Sequence, residues 1–228
     1  MPTQPAHILL LGGSGRTGQL VLAEALRRSH PVIALVRRAT SLAPTPGLSI
    51  IEGTPLNKSD IEKAIASIPQ SSKIFIISTL SQTRVSGNPW SATTSPKRLM
   101  ADAIDNVIAI SKVNRRIEKL VVMSMFGAGN SFGNLMFLMR WIMNTSNMDV
   151  TLGDHNLVDK AVKASGLNFV MVRSAMLKGE EVAAVIDLGD DGEKAGMMPS
   201  VSRRSVAGFL LDAAEQNIWD RRTPVISN

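Results

Sequence analysis

A chain of 228 residues, 44% hydrophobic and carrying a formal charge of +6, is long enough for one α/β domain with a full core and leaves no room for a second independent one. It has no cysteine, which excludes disulfides, thiolate nucleophiles and cysteine-ligated metals, and its three histidines show no ligand spacing, so no metal is expected. The basic residues are scattered in short pairs, Arg27–Arg28 and Arg115–Arg116 among them, and no apolar run reaches the roughly 18 residues of a membrane span, so neither nucleic acid nor membrane is an expected partner.

The N-terminus, MPTQPAH, lacks a basic region followed by a long apolar core, and a cytoplasmic location is expected. A short apolar strand, His7–Leu11, then falls into Gly12, Gly13, Ser14, Gly15, Arg16, Thr17 and Gly18, and into a helix over Gln19–Arg28. That order suits a dinucleotide. Gly12 permits the turn off the strand, Gly15 lets a pyrophosphate approach the backbone, and Gly18 lets the helix pack on the sheet. The phosphates would sit on free N–H groups at the positive end of the helix dipole. The spacing is G-x-x-G-x-x-G.

His30–Val36 is a second buried strand, ending in Arg37 and Arg38. In a βαβ dinucleotide fold an acid here would bind the ribose 2′-hydroxyl, whereas guanidinium forks bind a 2′-phosphate, so the pair predicts NADP(H) as the cofactor. After a Pro- and Gly-containing loop, Leu48–Glu52 is the third strand. The turn behind it places Thr54 and Pro55 along the adenine, and Ser59 or Asp60 caps a helix running to Ile68.

Lys73–Thr79 is the unbroken apolar strand expected at the centre of a parallel sheet, and it brings Thr79, Leu80 and Ser81 to the carboxyl edge where ligands bind. The loop Gln82–Thr94, with Arg84 and Trp90, reads either as a lid over substrate or as an ordinary surface loop. Ser95-Pro96 starts a helix to about Asn114. Lys119–Ser124 delivers Ser124, followed by Met125 and Phe126, to the same edge. The segment Met136–Met143 is too apolar for an exposed helix and reads as core, as one wall of a hydrophobic pocket, or as a subunit interface.

A helix over Asp154–Ser165 ends at Gly166 and leads to the strand Leu167–Arg173, with Met176 just beyond. A late strand over Glu181–Leu188, a helix over Ser205–Gln216 and a last strand over Thr223–Ser227 complete the alternation. The expected fold is a Rossmann-type, doubly wound, mainly parallel α/β sheet with a small C-terminal substrate lobe. One NAD(P)-binding domain then spans 1–228, its substrate pocket contributed by about 82–94, 125–150 and 174–204.

The glycine loop, Arg37–Arg38, Ser124 at the end of the fifth strand and the segment Lys163–Arg173 together resemble the atypical short-chain dehydrogenase/reductases. The most similar groups are the NmrA-like proteins and the biliverdin reductase B (flavin reductase) group, and the resemblance covers nearly the whole chain. In the wider superfamily a Ser, a Tyr and a Lys act together, the last two spaced Tyr-x-x-x-Lys. Ser124 and Lys160 match that pattern, but Asn156 stands at the tyrosine position of a chain with no tyrosine at all. An amide cannot deliver a proton as a phenol does.

The flavin reductase group also lacks the tyrosine and looks like a hydride donor to large, flat acceptors. Its histidine after the sixth strand is Met176 here. The resemblance leaves Ser124, Lys160 and His155 as catalytic candidates: Ser124 on the carboxamide or a substrate carbonyl, Lys160 on the nicotinamide ribose, and His155 as a proton donor unless it is a solvent-facing residue at a helix start. Ser124 and Met125 join the cofactor site, and Trp90, Phe126, Met136 and Met176 the substrate pocket. The implied activity is an NADP(H)-dependent oxidoreductase acting on an apolar, conjugated or aromatic small molecule, as a monomer or homodimer. The alternatives are an NmrA-like redox sensor that binds NADP(H) without turnover, and a secondary-metabolism enzyme that couples reduction to cyclisation.

Overall fold

The computed structural model describes residues 5–228; the first part of the stretch read for targeting lies outside them. Its elements follow in the order β1 (His7–Leu11), α1 (Arg16–Arg27), β2 (Val32–Val36), β3 (Leu48–Glu52), α2 (Lys58–Ala66), β4 (Ile74–Ser78), α3 (Leu99–Ser111), β5 (Ile117–Met125), α4 (Phe137–Thr145), α5 (Met148–Ala164), β6 (Phe169–Ser174), β7 (Met176–Leu177), β8 (Ile186–Asp187), β9 (Ser200–Val201), α6 (Arg203–Glu215) and β10 (Val225–Ser227).

Eight strands form one sheet in the order β3-β2-β1-β4-β5-β6-β10-β8, and only the β8–β10 pairing is antiparallel. The chain winds outward from β1 in one direction to β3 and in the other through β4 to β6. This is the Rossmann-type doubly wound arrangement, and it follows from the sequence of the strands. β1 and β2 are apolar at nearly every position, so each must be covered on both faces. Ile8, Leu10, Val32 and Ala34 pack with α1 and α6, while Leu9, Leu11, Ile33 and Leu35 pack with α2, α3 and α5. Each of the Val, Leu and Ile side chains among them contributes about 1.5–3 kcal/mol by leaving water.

Several boundaries depart from the sequence expectation. α5 starts at Met148 rather than Asp154, because the Ser146 hydroxyl accepts the Met148 N–H and opens the helix earlier. α3 starts at Leu99 rather than Ser95. The Ser95 hydroxyl is engaged with Gln82 and the Thr83 N–H, and Asp154 supplies the cap from another helix. The cap of α2 is Asn57, which accepts the Ser59 N–H, while Asp60 turns back to accept the Thr54 N–H at 2.9 Å. The late strand shrinks to Ile186–Asp187, and the unexpected β7 and β9 form a separate two-stranded parallel sheet beside the carboxyl edge.

Among the described residues no helix is long and apolar enough to cross a membrane, and no group of three or more His, Asp or Glu side chains is placed to hold a metal ion.

Candidate functional site

The carboxyl edge of the sheet begins with the glycine loop between β1 and α1. Gly12 holds φ +83°, where an L side chain is strained, and a Cβ there would lie 2.9 Å from the Thr79 carbonyl carbon. At Gly18 a Cβ would lie 2.1 Å from the Gly12 oxygen, so α1 can reach the loop only without a side chain at that position. Gly15 is the N-cap of α1 and makes no side-chain cap, and the first turn holds no acidic residue. The loop therefore closes around nothing of its own: it presents the uncapped N–H groups of α1, beside the exposed Ser14 and Arg16. That cradle fits the pyrophosphate of a dinucleotide.

At the end of β2, Arg37 and Arg38 are both exposed and neither takes part in an ion pair among the described residues. Glu52 ends β3 level with Val36, and its carboxylate accepts the Ala39 N–H at 3.0 Å. An acid thus adjoins the arginine pair, from the neighbouring strand rather than from β2. Thr54 is held through its N–H by Asp60, and Pro55 is buried behind it. Thr79 is buried, and its hydroxyl donates to the carbonyls of Leu11 and Gly12 at 3.1 and 3.2 Å. Its side chain is committed to the shape of the glycine loop, which leaves only its backbone for a ligand.

Beyond Leu80 and Ser81 lies a cavity of about 350 Å³, within the range of small-molecule sites. Ser124 and Met125 from β5, Phe126 just after it, the inner face of α4, the first half of α5, and the segments around Ala175 and Met198 enclose it. Nine of the twelve methionines reach its wall: Met123, Met125, Met136, Met139, Met143, Met148, Met176, Met197 and Met198. Within the Met136–Met143 segment the faces separate. Met136, Met139 and Met143 line the cavity, whereas Phe137, Leu138 and Trp141 are exposed on the outer side.

On the cavity wall the Ser124 hydroxyl lies 3.2 Å from His155 Nδ1, and both residues are buried. Burial holds the His155 imidazole down at about 4, against a smaller upward pull from Asp154, so the ring is neutral at ordinary pH. It is not the solvent-facing histidine of a helix start, because α5 begins a full turn and a half earlier. A neutral imidazole and a hydroxyl share one proton between them, so whichever tautomer is present the pair keeps one further O–H or N–H to donate.

Two catalytic and pocket candidates are displaced. Lys160 is exposed on α5 and does not line the cavity. The face of α5 turned to the sheet carries His155 and Asp159, one residue earlier than the Asn156 and Lys160 spacing implies. Asn156 accepts the Gly129 N–H instead, and Asp159 pairs with Arg173 and Lys163. Trp90 is half-exposed and outside the cavity wall, its carbonyl accepting the Asn147 amide at 2.7 Å. From the loop 82–94, Arg84 lines the cavity instead. Phe126, Met136 and Met176 line the cavity wall, while Met123, Met148, Met197 and Met198, also on it, carry no local pattern that would have singled them out.

A family model described as NAD(P)H-binding matches residues 12–217. Among solved structures the chain is similar to ChuY, an anaerobilin reductase from Escherichia coli O157:H7, at 18% identity, with 97% of each chain covered and a TM-score of 0.73. It is similar to a short-chain dehydrogenase/reductase from Veillonella parvula in complex with NADP, at 16% identity over 98% of this chain and 94% of that one, with a TM-score of 0.72. A Rossmann-fold NAD(P)-binding family protein from Shigella flexneri matches at 18% identity over 98% and 93%, with a TM-score of 0.70. At such identities the likeness is one of fold.

Proposed function

The chain belongs to the NAD(P)H-binding family, and we propose that it is an NADP(H)-dependent reductase of an apolar, conjugated or aromatic small molecule. The observation that carries the reading is the methionine-walled cavity that meets the carboxyl edge at Ser124 and His155. The glycine loop would hold a dinucleotide's pyrophosphate and Arg37 and Arg38 its adenosine end, which would leave the nicotinamide end toward that edge. When bound, it supplies a hydride for an electrophilic carbon of the acceptor and leaves oxidised.

The chain's own residues would do the rest. Thioether side chains conform to a flat, irregular acceptor and exclude water from it. Segments 82–94, 125–150 and 174–204 form the acceptor pocket in this reading. The neutral Ser124–His155 pair donates one hydrogen bond to the acceptor's oxygen or nitrogen and so orients the carbon that is reduced. The proton that completes the reduction comes through this pair or from water. A cavity of this size, open beside the cofactor edge, favours turnover over a sensor that only binds NADP(H).

The test is to follow NADPH absorbance with quinone, enone, imine and flavin acceptors. Turnover with at least one class is expected, slowed about a hundredfold by Ser124→Ala. A protein that binds NADPH and passes its hydride to none of the four classes is not this reductase.

A further inference from the structure

One cation in the cavity has nothing to pair with. Arg84 lines the wall, its Nη1 is buried with no hydrogen-bond partner, and its guanidinium joins no ion pair among the described residues. No Asp or Glu lies on that wall, and its other titratable side chain, His155, is held neutral by burial. A buried guanidinium N–H surrounded by thioethers and aliphatic carbon is costly unless something enters to accept from it.

Arg84 is also held in place. Its backbone forms an antiparallel bridge to Thr93, the Val85 N–H donates to Ala92 and the Thr94 N–H to Thr83, and Gln82 at the base of this hairpin is tied to Asp154. The fork is therefore presented from a braced stem, which is what bidentate recognition needs.

We propose that Arg84 is a specificity-determining residue and that the acceptor carries a carboxylate, which pairs with the Arg84 guanidinium while the conjugated body lies among the methionines. This rests on the cavity being the acceptor site of the proposed reductase. A neutral acceptor of the same shape offers the Nη1–H at most an uncharged oxygen, so the anion gains the charge-assisted pair and satisfies the buried donor more strongly.

The experiment uses two fluorescent probes with one ring system, anthracene carboxylate and anthracene methanol, titrated into the protein with and without saturating NADP+. The wild-type protein is expected to prefer the carboxylate by about tenfold or more. Arg84→Gln should abolish the preference, leave NADP+ affinity unchanged and not lower the melting temperature, while anthracene methanol still binds, and Arg84→Lys should restore part of the preference. Equal binding of the two probes to wild type, failure of both to bind, or a preference that survives Arg84→Gln would overturn the assignment. A loss of NADP+ affinity in Arg84→Gln would also overturn it, because the guanidinium would then serve the cofactor. If wild type binds no NADP+, the reductase reading fails by itself, and the titration without cofactor still decides what Arg84 recognises.

Discussion

The Gln82 side-chain amide donates a 2.6 Å hydrogen bond to the Asp154 carboxylate, joining the loop after β4 to α5. The same carboxylate, 1% exposed, accepts the N–H groups of Met100 and Ala101 at 2.9 Å and so caps α3 from outside. Gln82 donates in turn to the carbonyls of Pro96 and Lys97. One buried carboxylate therefore fixes the start of α3, the root of the Arg84 hairpin and the residue next to His155. Asp154→Ala leaves the Met100 and Ala101 N–H groups without a partner and cuts the Gln82 tie to α5, and is expected to cost about 3 kcal/mol in urea unfolding. Asp154→Asn, which keeps the shape but loses the charge at the α3 N-terminus and turns an amide NH2 toward one of these donors, should cost about 2 kcal/mol. Equal stability of all three proteins would remove the cap from the account.

His155 gives the fold a pH dependence whose sign follows from burial. Its pKa in the folded chain is about 4, against 6.5 for the free side chain, so between those values the unfolded chain binds the proton and the folded chain does not. Stability is fully present above pH 6.5, falls as the pH drops toward 4, and loses about 3 kcal/mol across the window. His7, lowered in the same direction by burial, adds a smaller share. Glu24, held at about 2 chiefly by its hydrogen bond from Arg27, loses its contribution only at lower pH, from 4.5, the value of the free side chain, downward. Unfolding curves for wild type and His155→Gln at pH 7.5 and 4.5 check this. The variant should show the shallower loss.

The arginine pair at the end of β2 predicts a cofactor preference. Arg37→Ala with Arg38→Ala is expected to weaken NADPH binding by about a hundredfold and to change NADH binding little, because charge-assisted bonds to a 2′-phosphate are absent with NADH. Glu52→Gln, which removes a negative charge beside that pair while keeping an oxygen for the Ala39 N–H, should tighten NADPH binding several-fold. Calorimetric titration reads both. Equal losses for the two cofactors would show that the arginines do not select the 2′-phosphate.

The glycine loop and the strand order were legible because their requirements are local: a Cβ at Gly18 collides with Gly12 only six residues away, and an apolar run such as Ile74–Ser78 declares a doubly covered strand. The face of α5 was not. A spacing of four fixes which residues share a face but leaves the phase of the helix open, and here long-range partners set it: Asp154 with α3, and Asp159 with Arg173. The cavity was legible in part: the apolar segment Met136–Met143 supplies Met136, Met139 and Met143, and Phe126 and Met176 follow strands that end at the carboxyl edge. Met123, Met148 and Met198 reach it from three separate segments that only the folded chain brings together. The opposite error occurred at Trp90, where an aromatic in a loop suggested a pocket residue and the backbone bond to Asn147 turns that segment outward.

The second buried pair on α5 gives the sharpest stability prediction. Arg173 is fully buried on β6, and its guanidinium donates to Asp159 at 2.5 Å, to Asn130 at 2.8 Å and to the Asp190 carbonyl at 2.6 Å, with Lys163 on the other side of Asp159 at 3.0 Å. The loop before α4 has closed tightly on this pair: a Cβ at Gly129 would lie 2.7 Å from the Arg173 guanidinium and 2.8 Å from the Asp159 carboxyl carbon. Attraction between two desolvated charges roughly offsets the cost of burying them, so removing one partner is far worse than removing both. Asp159→Leu is expected to lose about 3–5 kcal/mol, since it leaves a buried guanidinium without its counter-charge. The double variant Asp159→Leu with Arg173→Met should recover most of that loss. A double-mutant cycle in denaturant measures it, and strictly additive losses would show that the two charges are not coupled.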